Sequence, residues 1–257
     1  MLGSAIAPVT LLYMQSVFGW RGAYIGASIF GLIVLVTLIA QPEPTTEIAH
    51  AGKGAPRTRT DGKDAGWRLL MSPPILLNLA FFILTSIMGS GLNTYLVVAL
   101  GALHAIPPAI ANVALTSLLA MNAVGVLGGG ILAARTRNHA VVAASGLTMG
   151  GVVTALIGFF DFPSAILILL MGISGFCVGA TYPSRDMLVR AVTPPGAYGR
   201  VFGFVSTGFN IGASIAPIVY GMLMDNGEPR AVFLLSAAVS LLCVSTVTFG
   251  FSGRETR

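Results

Sequence analysis

The sequence predicts an all-α integral membrane protein that crosses a lipid bilayer about eight times. Of its 257 residues, 55% are hydrophobic and only 9% are charged, whereas roughly a quarter are charged in an average soluble domain. The apolar residues also lie in blocks of about 20 residues, the length that a helix needs to cross about 30 Å of hydrocarbon. Such a chain cannot cover a water-facing surface, so we expect lipid to be its solvent.

Eight apolar segments follow one another along the chain, separated by short polar or proline- and glycine-rich breaks. By hydropathy they cover residues 2–18, 22–41, 75–99, 107–134, 139–161, 164–187, 198–224 and 230–252. The first segment is short, and the sixth is interrupted near Tyr182 and Pro183. The remaining segments are each long enough for one membrane-spanning helix.

A long polar stretch from Gln41 to Pro74 separates the second and third segments, and its prolines, glycines and mixed charges predict a flexible connector. When successive loops are assigned to alternate sides of the membrane, all lysines and arginines except Arg21 and Arg230 fall on the connector's side. Basic residues accumulate on the cytoplasmic side of membrane proteins. We therefore expect the connector and the C-terminus to be cytoplasmic.

The net charge of +5 does not indicate a nucleic-acid partner, because most basic residues lie in the connections between apolar segments. Both cysteines, Cys177 and Cys243, lie inside apolar segments without metal-like spacing, so we interpret them as small buried hydrophobic residues. Neither a metal ion nor a cofactor is expected.

An internal repeat links the two ends of the chain. Residues 3–8 (GSAIAP) match residues 212–217 (GASIAP), and an arginine stands thirteen residues after each proline. Gly, Ala, Ile and Pro are common in membrane helices, so chance is the alternative explanation, but the shared spacing to arginine argues against it. Segments one and two therefore look like a copy of segments seven and eight, with Pro8, Arg21, Pro217 and Arg230 as structural residues of the repeat.

With this repeat and the long connector, the chain resembles the major facilitator superfamily, whose twelve helices form two six-helix halves joined by a long cytoplasmic loop. The resemblance implies that residues 1–41 hold the last two helices of the first half, 42–74 the loop, and 75–257 a complete second half. The four preceding helices would then lie outside this sequence, as expected for a truncated gene, a misassigned start or a fragment.

The resemblance also implies a function. Members of the superfamily are secondary transporters, so the chain is expected to belong to a protein that moves a small solute by alternating access, in a bacterial inner membrane. A proton is a candidate coupling ion. Without the preceding helices, we do not expect the chain to be active alone.

Two stretches resemble sequences of that family, and both carry candidate gate residues. The family's Gly-x-Leu-Ala-Asp-Arg-x-Gly-Arg loop is similar to residues 129–139, which keep Arg135 but have Ala134 for the acid and Arg137 for a glycine. Further along, residues 182–203 carry charges at a helix end. These charges could clamp the cytoplasmic face by ion pairs that break on rocking, or could merely anchor the helix at the headgroups. The gate candidates are Arg135, Arg137, Arg185, Asp186 and Arg190.

Polar side chains inside the predicted spans are candidates for a solute cavity, because such groups are costly in lipid and usually point into a bundle. They are Asn93, Tyr95, Asn122, Tyr182 and Asn210. A helix-to-helix hydrogen bond is the alternative for each asparagine, and an interfacial anchor is the alternative for Tyr95. No Asp, Glu, Lys, Arg or His lies in the middle of a predicted span, so a proton-coupling acid would have to lie near a helix end or in the preceding helices.

Glycines four residues apart predict close helix contacts. The pairs are Gly22/Gly26, Gly125/Gly129, Gly146/Gly150, Gly175/Gly179, Gly199/Gly203 and Gly208/Gly212.

Two other functional classes are compatible with the residues. One is a non-transporting membrane scaffold or accessory subunit. The other is an intramembrane serine protease, because residues 172–175 (GISG) place Ser174 between small residues. That chemistry needs a histidine base in a neighbouring span, whereas all three histidines fall in predicted loops.

Overall fold

The structure is a computed structural model that describes residues 19, 21–22, 24–37, 63–136 and 138–251. At the ends of the last two ranges only the backbone is described, so that side chains there are described for residues 67–136 and 138–247. The chain divides into two compact units, residues 1–61 and 62–257. In the described part of the first unit, helix α1 spans Tyr24–Thr37 and exposes most of its apolar side chains. The predicted segment 2–18 and Pro8 lie outside the described residues.

The second unit is a helical bundle, and its described residues form no β-strand. Its helices are α2 (Lys63–Leu70), α3 (Pro73–His104), α4 (Pro108–Arg135), α5 (His139–Phe159), α6 (Ser164–Val192), α7 (Tyr198–Asp225) and α8 (Pro229–Phe251). Six of the described helices, α3 to α8, are long and apolar enough to cross a membrane. The last six predicted segments are thus confirmed, with most ends displaced by only a few residues.

Prolines and one left-handed residue set the helix ends. Pro73, Pro108 and Pro229 each occupy the first position of a helix, where the missing N–H has no intrahelical partner to lose. Helix α3 ends at His104 and is capped by Ala105, whose φ of 51° places it in the left-handed region and turns the chain into the next loop. The same breaks that separate the apolar segments in the sequence therefore terminate the helices.

Two expectations about secondary structure were wrong. Helix α6 is continuous through Pro183 and extends to Val192, so segment six is neither interrupted nor finished at residue 187. A membrane helix tolerates an internal proline when neighbouring helices pack around it. The predicted flexible connector also contains α2, because residues 63–70 form a helix that ends just before the proline pair opening α3. The rest of the connector lies outside the described residues.

The six long helices pack as two close pairs. Helix α4 lies against α6, and α3 lies against α7. The pairs are bridged by the remaining two helices, since α5 packs on α6 and α8, and α8 also packs on α3. By contrast, α6 has few contacts with α3 or α7. We call this loosely packed boundary between the α4–α6 and α3–α7 pairs the seam.

Glycines make the close pairs possible. A Cβ added at Gly125 or Gly129 of α4 would overlap backbone atoms of α6, and one at Gly175 or Gly179 would overlap backbone atoms of α4. Two further pairs also lie at helix contacts, namely Gly146/Gly150 of α5 and Gly208/Gly212 of α7. The glycine prediction is therefore confirmed for these four pairs.

For one glycine pair the prediction was wrong, because Gly199 and Gly203 face open space at the start of α7. For Gly22 and Gly26 of the first unit the prediction stays untested.

A side-chain contact between His104, the last residue of α3, and Asp161, two residues after the end of α5, links these two helices. The ring of His104 has Nδ1 2.8 Å from Asp161 Oδ1 and Nε2 3.1 Å from the carbonyl oxygen of Ile157. The His104 side chain is 4% exposed, whereas that of Asp161 is 93% exposed. Both ring nitrogens therefore face oxygen atoms that can accept a hydrogen bond.

We expect His104→Ala to lower the free energy of unfolding by about 1–2 kcal/mol, since it removes the contacts of the buried ring with Asp161 and with the Ile157 carbonyl. The exposed Asp161 contributes the smaller share because solvent screens it. Thermal unfolding in detergent measures the change. His139→Ala is the matched control, because Nδ1 of His139 has no partner among the described residues. Equal losses in both variants would contradict the assignment.

Candidate functional site

The core of the bundle contains an arginine. Arg185 lies on α6, seven residues before that helix ends at Val192, about 10 Å along the helix axis. Its residue surface is only 4% exposed. Arginine is almost never buried to this degree unless it is paired, so its surroundings define the candidate site.

Three aromatic rings surround the Arg185 guanidinium. Its Cζ atom lies 4.2 Å from the ring centroid of Phe82 and 4.9 Å from those of Tyr182 and Phe209. These residues come from α3, α6 and α7 respectively, so the guanidinium fills the seam. Cations over ring faces are stabilised by the ring quadrupole, more strongly when desolvated. We call Phe82, Tyr182 and Phe209 the aromatic cage.

One side of the guanidinium is paired with a carboxylate on the same helix. Arg185 Nε and Nη2 donate to Asp186 Oδ1 at 3.1 and 3.0 Å, and the Asp186 side chain is 43% exposed. The partly exposed carboxylate compensates the charge of the buried guanidinium. The ion pair is therefore internal to α6, between adjacent residues.

The other end of the guanidinium meets no acceptor in the part of the chain that the structure describes. Nη1 of Arg185 is buried without a hydrogen-bond partner among the described residues, and so is the neighbouring Ser184 Oγ. A buried donor without an acceptor is costly and needs an explanation.

Two predicted cavity residues lie next to each other, namely Asn122 and Tyr182 of the aromatic cage. The side chain of Asn122 on α4 interacts with the Tyr182 hydroxyl, and its Nδ2 donates to the Gly175 carbonyl at 3.3 Å. Tyr182 and Arg185 are three residues apart on α6 and so share one helix face. Asn122 therefore belongs to the same site as Arg185, and it also makes the helix-to-helix hydrogen bond that was its alternative role.

The other three cavity candidates lie elsewhere. Tyr95 donates its hydroxyl to the carbonyl of Pro217 on α7 at 3.0 Å and stacks on Tyr220 at 6.4 Å. Asn93 and Asn210 are exposed on α3 and α7. The structure thus brings Asn122 and Tyr182 together, while Tyr95 joins the pair of helices α3 and α7.

The gate candidates also separate. Arg135 is exposed at the end of α4, and Arg190 is exposed on the last turn of α6 beside a cleft lined by the α6–α7 loop. Arg137 lies outside the described residues. Among the gate candidates that the structure describes, only Arg185 and Asp186 form an ion pair, and that pair lies within one helix.

The residues of the predicted repeat are only partly described. Pro217 lies inside α7, and Arg230 is exposed in the first turn of α8. Arg21 is exposed in the first unit, and Pro8 lies outside the described part.

The serine considered as a protease nucleophile has a packing role. Ser174 is 2% exposed, donates to the Gly150 carbonyl of α5 at 3.2 Å, and lies 3.0 Å from the Thr154 hydroxyl. Hydroxyl groups commonly join membrane helices in this way. Among the described residues, no group of three His, Cys, Asp or Glu side chains could hold a metal ion.

Sequence reasoning missed Phe82 and Phe209, because aromatic residues in an apolar segment look the same whether they face lipid or a cation. It also placed Arg185 at a helix end, because segment six was cut at residue 187. Leu188, Val189 and Val192 continue the apolar pattern up to the proline pair at 194 and 195. Reading the segment to that pair would have put Arg185 inside the helix.

In the described part of the chain, six long apolar helices packed around a small buried polar site define a polytopic α-helical membrane protein. The family model described as Major Facilitator Superfamily matches residues 79–256, most of the chain. The chain belongs to this superfamily, as its resemblance implied, and the members of the superfamily are transport proteins and not enzymes.

Curated relatives carry the name multidrug resistance protein MdtG. The chain is 34% identical to that of Proteus mirabilis over 100 residues, which cover 38% of this chain and 24% of the relative. It is 34% identical to that of Yersinia enterocolitica over 116 residues (44% and 27%), and 32% identical to that of Escherichia coli K12 over 122 residues (47% and 29%). The chain therefore spans only about a quarter of the length of these relatives.

Proposed function

We propose that this chain belongs to a secondary transporter that moves a small organic solute across a bacterial inner membrane by alternating access. The observation that carries the proposal is the polar and aromatic site around Arg185, which fills the seam of an otherwise apolar bundle. Ionisable residues inside a membrane bundle usually mark the path of a solute or ion. A purely structural bundle would gain nothing from a buried arginine with an unsatisfied donor.

The names of the relatives support an organic solute. Proteins called multidrug resistance proteins share the aligned region with this chain. The site described here has rings for an apolar body and Asn122, Tyr182 and Arg185 for polar groups. We assign these three residues, together with the aromatic cage, to the solute path.

The distribution of basic residues supports a cytoplasmic connector and C-terminus, with Arg135 and Arg190 at that face. A protease-sensitive tag after Arg257 should be cut only when the cytoplasmic side is opened. Cutting of the tag from outside intact cells would contradict this orientation.

Exchange in proteoliposomes tests transport. The protein to which this chain belongs is purified and reconstituted into liposomes, which are preloaded in turn with cationic ethidium, anionic carboxyfluorescein or radiolabelled lactose. We expect at least one probe to show counterflow, in which solute inside accelerates uptake of the same solute from outside. Alternating access predicts counterflow because the loaded carrier reorients in both directions.

Empty liposomes and liposomes containing an unrelated membrane protein are the controls. Flux without counterflow would indicate a channel and contradict the mechanism. Absence of protein-dependent flux with all three probes would favour the non-transporting scaffold.

A further inference from the structure

We infer that Arg185 binds the carboxylate of an aromatic or apolar monocarboxylate solute. This inference rests on the proposed transport function and names the class of solute for its site. Its basis is the combination of a nine-tenths buried guanidinium, a free donor at one end, and three rings around it.

The free donor has the geometry that a carboxylate needs. A guanidinium carries five N–H groups in a rigid planar fork. Asp186 Oδ1 accepts from Nε and Nη2 on one edge. The end formed by Nη1 and the second N–H of Nη2 remains, and Nη1 has no acceptor among the described residues. Two parallel N–H groups match the two oxygens of a planar carboxylate.

The rings specify what the carboxylate is attached to. We expect the atoms attached to the acid group to contact Phe82, Tyr182 and Phe209, whose ring centroids lie 4.2–4.9 Å from Arg185 Cζ. These rings favour an aromatic or apolar body over a hydrated one. Phe82 and Phe209 also contact each other, with centroids 5.0 Å apart, so the two rings must part to admit the solute.

The position of the cage at the seam allows that movement. Helix α6 has few contacts with α3 or α7, so side chains and not backbones close the site. The rings can change rotamer without separating the close helix pairs. The buried Nη1 therefore becomes reachable through the seam itself.

The charge balance predicts how Asp186 affects binding. Arg185 is the only buried arginine in the described part of α3–α8, and the other arginines there are exposed at or near helix ends. Asp186 already neutralises it, so an incoming carboxylate meets one attractive and one repulsive charge. Removing the negative charge of Asp186 should strengthen anion binding, whereas removing the positive charge of Arg185 should abolish it.

Binding of benzoate to the purified chain in detergent tests the inference, with benzamide as the neutral isostere. Isothermal titration calorimetry measures both dissociation constants. We expect benzoate to bind at least about tenfold more tightly, because a hydrogen bond to a charged partner is about twice as strong as a neutral one. Equal affinity, or binding of neither compound, would overturn the inference without any variant.

Three variants separate binding from folding. Arg185→Gln and Arg185→Lys should weaken benzoate binding about tenfold or more, the lysine because it keeps the charge but loses the fork. Asp186→Asn should instead tighten binding about threefold, as expected for removing a partly screened like charge. A merely structural pair would weaken binding in all three variants or in none, and either result would overturn the inference.

Arg190→Gln is the matched control, since it removes an exposed positive charge from the same helix and should leave the dissociation constant unchanged. The result is independent of flux. Counterflow of ethidium or lactose without a preference for benzoate over benzamide would contradict this inference and support the transport proposal. Preferential binding of benzoate without flux of any probe would support this inference and contradict the transport proposal.

Discussion

Gly129→Ala should lower the midpoint of thermal unfolding by about 5 °C in detergent. A Cβ at Gly129 of α4 would overlap the carbonyl group of Ala180 on α6, and overpacking of this kind costs typically about 1–3 kcal/mol. Backbone atoms cannot rotate away as a side chain can, so α4 and α6 would have to move apart. Circular dichroism during heating measures the midpoint.

The adjacent residue provides a matched control. Gly130 lies on the same helix, and a Cβ there would meet nothing within 4 Å. Alanine is a better helix former than glycine by about 1 kcal/mol, so Gly130→Ala should leave the midpoint unchanged or raise it slightly. If both substitutions shifted the midpoint in the same direction, the close contact of α4 with α6 would be wrong.

Tyr220→Ala should cost still more, about 3–5 kcal/mol, as for other large aromatic residues truncated in a core. Tyr220 is fully buried on α7. Its ring covers Gly91 of α3, stacks on Tyr95, and its hydroxyl lies 2.8 Å from Ser236 of α8. Loss of the ring would leave a cavity where three helices meet, and the midpoint of thermal unfolding should fall by about 10 °C.

Tyr220→Phe distinguishes the ring from its hydroxyl. Ser236 donates to the Val232 carbonyl at 2.8 Å, so the Tyr220 hydroxyl is the donor to Ser236. Its removal costs one hydrogen bond between membrane helices, worth about 0.6 kcal/mol on average. A phenylalanine variant as unstable as the alanine variant would mean that the hydrogen bond, and not packing, stabilises this junction.

The fold was largely predictable because its signals are local. The apolar segments and their proline or glycine breaks predicted the six long helices. Glycine spacing predicted close helix contacts, and four of the six glycine pairs lie at such contacts. The failures were also local. Pro183 was taken as an interruption, although packing by neighbouring helices maintains α6 across it. Gly199 and Gly203 have the right spacing but face open space, and spacing alone does not indicate which face of a helix has a partner.

The candidate site was predictable only in part. Asn122 and Tyr182 stood out because polar groups inside an apolar segment are rare, and the structure places them together. The contact of Arg185 with Phe82 and Phe209 joins residues more than 20 positions apart on three helices, and no pattern within one segment encodes it. The assignment of Arg185 to a gate also assumed an ion pair with a residue of another element. In the structure, the carboxylate that pairs with Arg185 belongs to Asp186, the next residue in the chain.

The two kinds of helix contact in this bundle should respond differently to evolutionary change. Where α4 meets α6, glycine leaves no room for any larger residue, so those positions accept almost no substitution. Between α6 and the α3–α7 pair, rings and one guanidinium occupy the space, and each can be exchanged for a side chain of another shape. Descendants of one ancestral scaffold could therefore acquire new solute preferences through a handful of replacements, without redesign of the framework.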